Sequence, residues 1–213
     1  MRPMQRARSE TAKLAREDAI LTVTEILLRQ SGYGSMTMQA VAAAAGLAKG
    51  TLYLYFTSRE SLVLAVYGRL FDRWIDRFAG YQPELTGFDG FCLDFARHYA
   101  DDPLFLQLAS FATALLEPQL DHEAYVRSKR GMARRVKRLA GLVYQQFCIT
   151  PAEAQKLVWG VLTIAGGAAQ MTVCPIVTEE DLPVDVVAFT ALANFETVFV
   201  NAATPLGAGI KPR

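Results

Sequence analysis

The stretch Met36–Ser58, MTMQAVAAAAGLAKGTLYLYFTS, constrains this chain more than any other. Thr37 is a residue that caps helix N-termini well, because its hydroxyl accepts a hydrogen bond from an otherwise orphaned backbone N–H. A short apolar run with Val41 and Ala42 follows. Gly46 then stands where a helix would stop, since glycine takes the left-handed conformation without a Cβ penalty. Leu47 offers a buried anchor for that turn, and a second short helix is predicted from Ala48 to about Phe56. Two short helices joined by a tight glycine-containing turn form a helix-turn-helix, whose second helix can lie in the DNA major groove.

On that second helix Leu52 and Phe56, four residues apart, point inward, and Lys49, Gly50, Thr51, Tyr53 and Tyr55 are left on the exposed side. Lysine suits a phosphate or a guanine edge, and threonine a phosphate or a thymine methyl. Gly50 lets a backbone approach closely. Spacing alone leaves a second reading open, in which a small three-helix core carries the tyrosines as half-buried rings.

Residues Arg16 to Val63 resemble the N-terminal domain of the TetR/AcrR family of bacterial transcriptional regulators. The resemblance is carried by Gly32-Tyr33, Thr37, Val41-Ala42, Ala45-Gly46-Leu47, Gly50-Thr51-Leu52-Tyr53, Tyr55-Phe56, and Ser58-Arg59-Glu60 with Leu62. It implies that Gln39, Lys49, Gly50, Thr51, Tyr53 and Tyr55 approach bases or groove edges, and that Thr37, Tyr53 and Arg59 hold phosphates. Two departures stand out. Ala48 replaces the usual serine, so the reading helix lacks a side-chain cap, and Arg59 replaces the usual lysine, which keeps the charge but changes its geometry.

Charge supports a division of labour. The formal net charge is only +1, but residues 1–60 hold eight Lys/Arg against five Asp/Glu, and residues 61–213 fourteen against sixteen. A mildly basic head on a mildly acidic body suits a DNA-binding domain joined to something else. The expected domains are therefore 1–60, an arm plus the helix-turn-helix at about 37–56, and 61–213, a helical body joined through a helix at about 58–79. Arg2, Arg6 and Arg8 suggest a mobile arm over Met1–Ser9, either groove-seeking or simply solvated.

The rest reads as all-α. A first helix is predicted from Glu10 to Gln30, with Ala19, Ile20, Val23, Ile26 and Leu27 as its apolar stripe and Gly32 as its stop. Thr57-x-x-Glu60 reads as a capping box for the fourth helix. Further helices are predicted at Phe88–Ala100, Pro103–Leu116, Asp121–Phe147, Thr150–Val173 and Pro183–Asn201, with starts marked by Asp102-Pro103 and by Thr150-Pro151-x-Glu153. The apolar stretch Leu157–Val177, broken by glycines, Gln170 and Pro175, reads as a buried helix and not a membrane span. The polar, basic N-terminus carries no hydrophobic leader pattern, and three well-separated cysteines (Cys92, Cys148, Cys174) fit a reducing compartment. A cytoplasmic location is the expectation.

The helical body is rich in aromatics. Trp74, Phe78, Phe91, Phe95, Phe111, Tyr125 and Trp159, with His98 and Gln170, are candidates for an apolar effector pocket; Gln107, Thr113, Gln145 and Thr163 are further polar candidates. Each aromatic taken singly fits a plain core equally well. A pocket in this body, for an effector of unspecified identity, is implied by the resemblance. So is a homodimer through the last two long helices. Gly160, Thr163 and Gly167 on one face, with Val187, Ala191, Phe195 and Val198 on the next helix, are the candidate interface. The cations of the seventh helix, Arg127, Lys129, Arg130, Arg134, Arg135, Lys137 and Arg138, read as a solvated face partly neutralised by acidic neighbours or as an anion-binding surface.

These readings point to a ligand-responsive DNA-binding regulator, a repressor released from its operator by a small apolar or amphipathic effector, whose partners are a double-stranded DNA operator, that small molecule and a second copy of itself, with no membrane. Two other classes of function find less support in the residues. An enzyme would have to use His98 or His122, neither of which has a nucleophile or metal partner at useful spacing, and no phosphate loop is present. No catalytic residue, metal or cofactor is expected. A thiol-based redox sensor would have to use a cysteine in apolar surroundings.

Overall fold

Why these residues form helices is clearest at the helix ends. In the computed structural model, which describes residues 3–80, 87–173, 183–191 and 194–212, the described residues form ten α-helices. Thr37 caps α2 (Met38–Ala44), its Oγ1 accepting from the Ala40 N–H at 3.1 Å. Gly46, at φ 65°, makes the turn into α3 (Lys49–Tyr53). Asp102 caps α6 (Pro103–Phe111), with Pro103 in its first turn. Thr150 and Glu153 form the full reciprocal box that opens α8 (Pro151–Thr172).

Some starts and stops differ from expectation. α1 (Pro3–Ser35) begins seven residues earlier than Glu10, and the expected arm therefore has helical backbone from Pro3; the side chains of Arg2, Arg6 and Arg8 lie outside the described residues. Gly32 interrupts α1 at φ 71° and ψ 172°, so the predicted stop shows as a kink. α4 (Arg59–Gly80) is not opened by Thr57 and Glu60. Ser58 and Ser61 bond each other's backbone N–H groups at 3.0 and 3.1 Å, while the Thr57 hydroxyl donates to Asp121 Oδ2 at 2.5 Å. After α6 the chain widens into a π-helical turn, Ala112–Leu116, and a 3-10 turn, Glu117–Gln119, instead of staying α-helical to Leu116. The single predicted helix Pro183–Asn201 is two, α9 (Val184–Ala191) and α10 (Phe195–Ala203). Asn194 accepts from the Thr197 N–H at 2.8 Å, and an asparagine cap starts a new helix. The candidate Ala191 closes α9, and its side chain, like Cys174 and the acidic run 179–181, lies outside the described residues.

The chain divides into two compact units, Met1–Val66 with Ala114–Ser128, and Tyr67–Thr113 with Lys129–Arg213. In the first, α1 packs on α2 and α2 on α3. Ile20, Leu28, Met36, Val41, Leu52, Phe56, Leu62 and Val63 are buried there, whereas Ile26 of the expected stripe is 49% exposed. The α1 core contact therefore runs along Ile20, Thr24 and Leu28. Thr24 is accommodated because its hydroxyl donates to the Ile20 carbonyl at 2.7 Å.

The second unit contains α5 (Gly87–Ala100) and α6, with α8 packed on α6 and α10, and α10 on α5. It also holds most of α4 and of α7 (His122–Gln146). Its centre is aromatic. Trp74, fully buried, stacks on Phe78 at 5.3 Å and meets Phe95 and Tyr99 edge-on at 4.9 and 5.5 Å. Phe199 stacks on Phe95 and Phe195 on Tyr99. Such pairs add roughly 0.5–1.5 kcal/mol each beyond the area they bury. Arg135 forks onto Asp72 at 3.0 and 2.6 Å, tying α7 to α4, and Arg138 bonds Asp76 one turn on. Gly68 and Gly131 make room for that fork: a Cβ on either would lie 2.7–2.8 Å from the Arg135 guanidinium. α7 is thus partly neutralised by acidic neighbours, with Arg127 also paired to Glu123.

Candidate nucleic-acid interface and effector cleft

In the first unit α3 is held by its buried side. Leu52 is fully buried and Phe56 nearly so, which leaves the opposite side outward. Lys49 is exposed and its ammonium lies 5.9 Å from the centre of the Tyr53 ring, itself 40% exposed. A Cβ on Gly50 would meet nothing within 4 Å, so the backbone there is open to close approach. Thr51 and Tyr55 are half-buried, Gln39 and Thr37 exposed, and the Thr37 oxygen is already engaged in its cap. Ala48 sits at the N-cap with no side-chain hydrogen bond, as its identity implied. Leu54 was not singled out in the sequence, yet at 81% exposure it offers an apolar contact beside Tyr53. Its place between the inward Leu52 and Phe56 was the available signal.

Arg59 is less free than the resemblance implied. Its guanidinium lies 4.3 Å from the Tyr33 ring centre, donates to the Tyr33 hydroxyl at 2.8 Å and pairs with Glu60 at 3.2 Å. A planar guanidinium can stack and bond at once, where a lysine ammonium cannot. Burial raises the Glu60 carboxyl, but its own backbone N–H, Arg59 and the Tyr33 hydroxyl outweigh that, and its pKa falls below the ordinary value. Asp121 is also lowered, chiefly by the Ala124 N–H that it caps and then by the Thr57 hydroxyl.

In the second unit the aromatic candidates separate into core and surface. Trp74, Phe91 and Phe95 are buried among other rings; Phe78, His98 and Phe111 are half-buried. A cleft of about 240 Å³ opens beside Phe78 and Phe91, lined also by Ala79, Asp94, Leu142, Gln145 and Gln146. Of the candidate pocket residues only Phe78 and Phe91 line it, with Gln145 from the wider polar set. His98 lies behind Phe78, its ring edge-on at 5.9 Å and its Nδ1 2.8 Å from the Asp94 carbonyl oxygen. Tyr125, Trp159 and Gln170 are exposed and do not belong to the cleft; Tyr125 falls in the first unit. The indole N–H of Trp74 is buried with no acceptor among the described residues.

α8 is not buried all round, contrary to the reading of Leu157–Val177. Trp159 is 52% and Met171 75% exposed, and Thr163, Gly167 and Gln170 lie on the same outward side. Gly160 has an intrachain explanation: a Cβ there would come within 3.0 Å of Leu206. Phe195 is 5% exposed and belongs to the core, not to an interface, while Val187 and Val198 are half-exposed and Val184 is 86% exposed.

The Cys92 thiol is buried, and desolvation pushes its pKa up to about 12. Thiolate at neutral pH is then negligible. Cys148 is exposed and its thiol faces the Pro212 carbonyl oxygen at 3.4 Å. Among the described residues no cluster of His, Cys, Asp and Glu is suited to a metal ion, and no helix is long and apolar enough to cross a membrane.

Comparison with known proteins covers both units. Residues 20–66 match the family described as bacterial regulatory proteins, tetR family, and residues 64–211 match the tetracyclin repressor-like C-terminal domain. The HTH-type transcriptional repressor KstR of Mycolicibacterium smegmatis is 40% identical over 62 residues, 29% of this chain and 30% of its own length. KstR of Rhodococcus jostii is 40% identical over 65 residues, 30% of this chain and 31% of its own. The chain thus matches these curated relatives over only about a third of their length. Among solved structures, the fatty acid degradation regulator FadR from Bacillus halodurans superposes with a TM-score of 0.54 at 15% identity, over 93% of this chain and 97% of its own. FadR from Bacillus subtilis in complex with stearoyl-CoA gives 0.52 at 15% identity, over 90% and 97%. At that identity the likeness is one of fold.

Proposed function

The chain belongs to the tetR family of bacterial regulatory proteins, and we propose that it is a dimeric repressor that reads a palindromic operator through α3 and leaves it when a small molecule occupies the helical body. Ligand-responsive DNA binding and transcriptional regulation are the family's business. The observation that carries the proposal is the outward face of α3: Lys49, Gly50, Tyr53 and Leu54 stand exposed on a helix whose other side is locked by Leu52 and Phe56. Lys49 and Gly50 sit in its first turn, where side chain and backbone reach base edges together. Tyr53 and Thr51 supply groove and phosphate contacts, Gln39 and Thr37 flank them, and Tyr55 supports the end of the helix. Arg59 orders the start of α4 through Tyr33 and Glu60.

The outward side of α8, with Trp159, Thr163, Gly167 and Met171 exposed around a small-residue centre, is the surface on which we place dimerisation, with Val198 half-exposed on α10, which packs on α8. A large exposed apolar face is a liability for a monomer. A two-fold pair would set two α3 helices roughly 34–36 Å apart, one turn of DNA. Release requires the effector to favour a different spacing; equal affinity for both states would shift nothing. The cleft at the C-terminal ends of α4 and α7 suits that role, because α4 also carries Arg59 and Glu60 at its start, the two residues that engage Tyr33.

Selection of bound fragments from genomic DNA by the purified protein at a stated salt concentration tests the reading. A palindromic site is expected, and its binding should be lost in the Thr51→Ala, Tyr53→Ala double variant while sedimentation still reports a dimer. Sequence-blind binding alone, or a palindrome still bound by the double variant, would reject the placement of the reading helix.

A further inference from the structure

Leu54 closes α3 with its side chain 81% exposed, a large apolar group that the described residues leave in water. Its backbone is still helical, at φ −71° and ψ −20°, and its N–H bonds the Thr51 carbonyl at 3.2 Å. Leu54 therefore stands one turn after Gly50 on the same side of the helix. Helical side chains lean toward the N-terminus, so the leucine side chain covers the surface over the preceding turn, which is the turn of Gly50. A Cβ on Gly50 would meet nothing within 4 Å, so that ground is bare backbone. Beside this strip runs a second one, in which the Lys49 ammonium lies 5.9 Å from the centre of the Tyr53 ring. Single exposed leucines are common on protein surfaces. This one is set apart by its place, next to an open glycine and a lysine on the side of α3 opposite buried Leu52 and Phe56.

We infer that Leu54 reads the C5-methyl group of a thymine in the major groove, which makes it a specificity-determining residue of the operator contact. The inference rests on α3 being the helix that enters the groove. Of the major-groove edges only that of thymine carries a methyl group. Leucine has neither donor nor acceptor. Against a phosphate or an amino group it would strip water without replacing the lost hydrogen bond. Against a thymine methyl, both partners lose only apolar hydration. Gly50 supplies the approach, because no side chain there holds the helix off the base edges. Lys49, on the neighbouring strip, supplies the phosphate or guanine contact that leucine cannot. Thr51 also has a methyl group, but it is half-buried and offers less of it.

Uracil scanning of the selected operator with the full-length protein decides it. Replacing thymine by uracil removes the methyl group and keeps every hydrogen-bonding atom. At one symmetric pair of thymines the change should weaken binding about 4-fold in one half-site and roughly 15-fold in both, the worth of one buried methyl group each. Leu54→Ala, checked for native circular dichroism and an unchanged sedimentation coefficient, should weaken the thymine operator and bring the thymine and uracil forms within about 1.5-fold, since their difference in buried apolar area is then lost. Its slope of log affinity against log salt should equal that of the native protein, because no phosphate contact is removed. Leu54→Met, which keeps a long apolar side chain, should retain the preference for thymine. If no thymine responds to uracil, or the response persists undiminished in Leu54→Ala, the assignment to Leu54 is overturned while α3 still reads the palindrome. An equal loss on both operator forms in Leu54→Ala, with the native difference between them intact, overturns it as well. Absence of any palindromic site overturns this inference together with the placement of α3 in the groove.

Discussion

Replacing Ala48 by Ser adds one hydroxyl at the start of α3, and its effect can be worked from the neighbouring helix. In α2 the Thr37 oxygen accepts from the N–H of Ala40, three residues on, at 3.1 Å, with Thr37 in an extended conformation at φ −122° and ψ 151°. Ala48 has the same extended character, φ −64° and ψ 143°, and no side-chain bond. A serine there can reach the N–H of Thr51, which now bonds the Ala48 carbonyl at 2.9 Å. Restoring a cap contributes about 1 kcal/mol, within a range of roughly 0.5–2. On a five-residue helix that is a shift of roughly 5-fold in the balance between formed and frayed α3. Amide hydrogen exchange across Lys49–Tyr53 should slow by that factor in Ala48→Ser. If unfolding is a single transition, its midpoint should rise by about 2–4 °C per kcal/mol. Thr37→Ala, the mirror-image control, should lose a comparable amount. Operator affinity rises only to the extent that α3 is frayed in the free protein, because apparent affinity scales with the competent fraction. Unchanged exchange in Ala48→Ser alongside a clear loss in Thr37→Ala would refute the reasoning. It would mean that burial of Leu52 and Phe56 alone sets the order of α3.

Gly207→Ala should destabilise by about 1–3 kcal/mol in urea unfolding, since its Cβ would lie 2.0 Å from Cδ1 of buried Phe88; an unchanged midpoint would show that the Thr204–Gly207 turn yields freely. Arg135→Ala should cost about 1 kcal/mol or more by removing a two-pronged bond to Asp72, and Arg135→Lys should recover less than half; full recovery by lysine would assign the fork no geometric role. At pH 8 a disulfide reagent should modify Cys148, while Cys92, pushed up to about 12, stays unmodified until the chain unfolds; peptide mapping that finds native Cys92 labelled as fast as Cys148 would contradict its burial. Asp121 has a lowered folded pKa, so its contribution is present above the unfolded value of 3.8 and is lost as pH falls through the folded value. Asp121→Asn should therefore flatten the acid limb of a stability profile taken from pH 2 to 6, and superimposable limbs would exclude the Thr57–Asp121–Ala124 arrangement.

Much of the local architecture was legible along the chain. Thr37, Gly46, Asp102-Pro103 and the Thr150–Glu153 box act on backbone groups two to four residues away, so their chemistry is local and survives any packing. The Ser58–Ser61 cap was harder to see because Thr57 and Glu60 offered an equally good box one residue earlier. Thr57 instead donates to Asp121, and Glu60 accepts from Tyr33, partners 64 and 27 residues distant. The break between α9 and α10 was hidden for a similar reason: an asparagine can cap a new helix or ride on the outside of an old one.

By itself the sequence determined an all-helical chain, the helix-turn-helix, the inward pair Leu52 and Phe56 and the uncapped Ala48, because helix periodicity and capping need only neighbours. It also held the aromatics from which the second unit's core is made. Only the tertiary structure decided which of them face a cavity. Periodicity assigns a residue to a stripe, but whether that stripe meets another helix, a cleft or water depends on groups far away in the chain. So Trp159 lies on the surface and Phe195 in the core, and Asp94, Leu142 and Gln146, unremarkable when read singly, meet Phe78 and Phe91 to line one cleft.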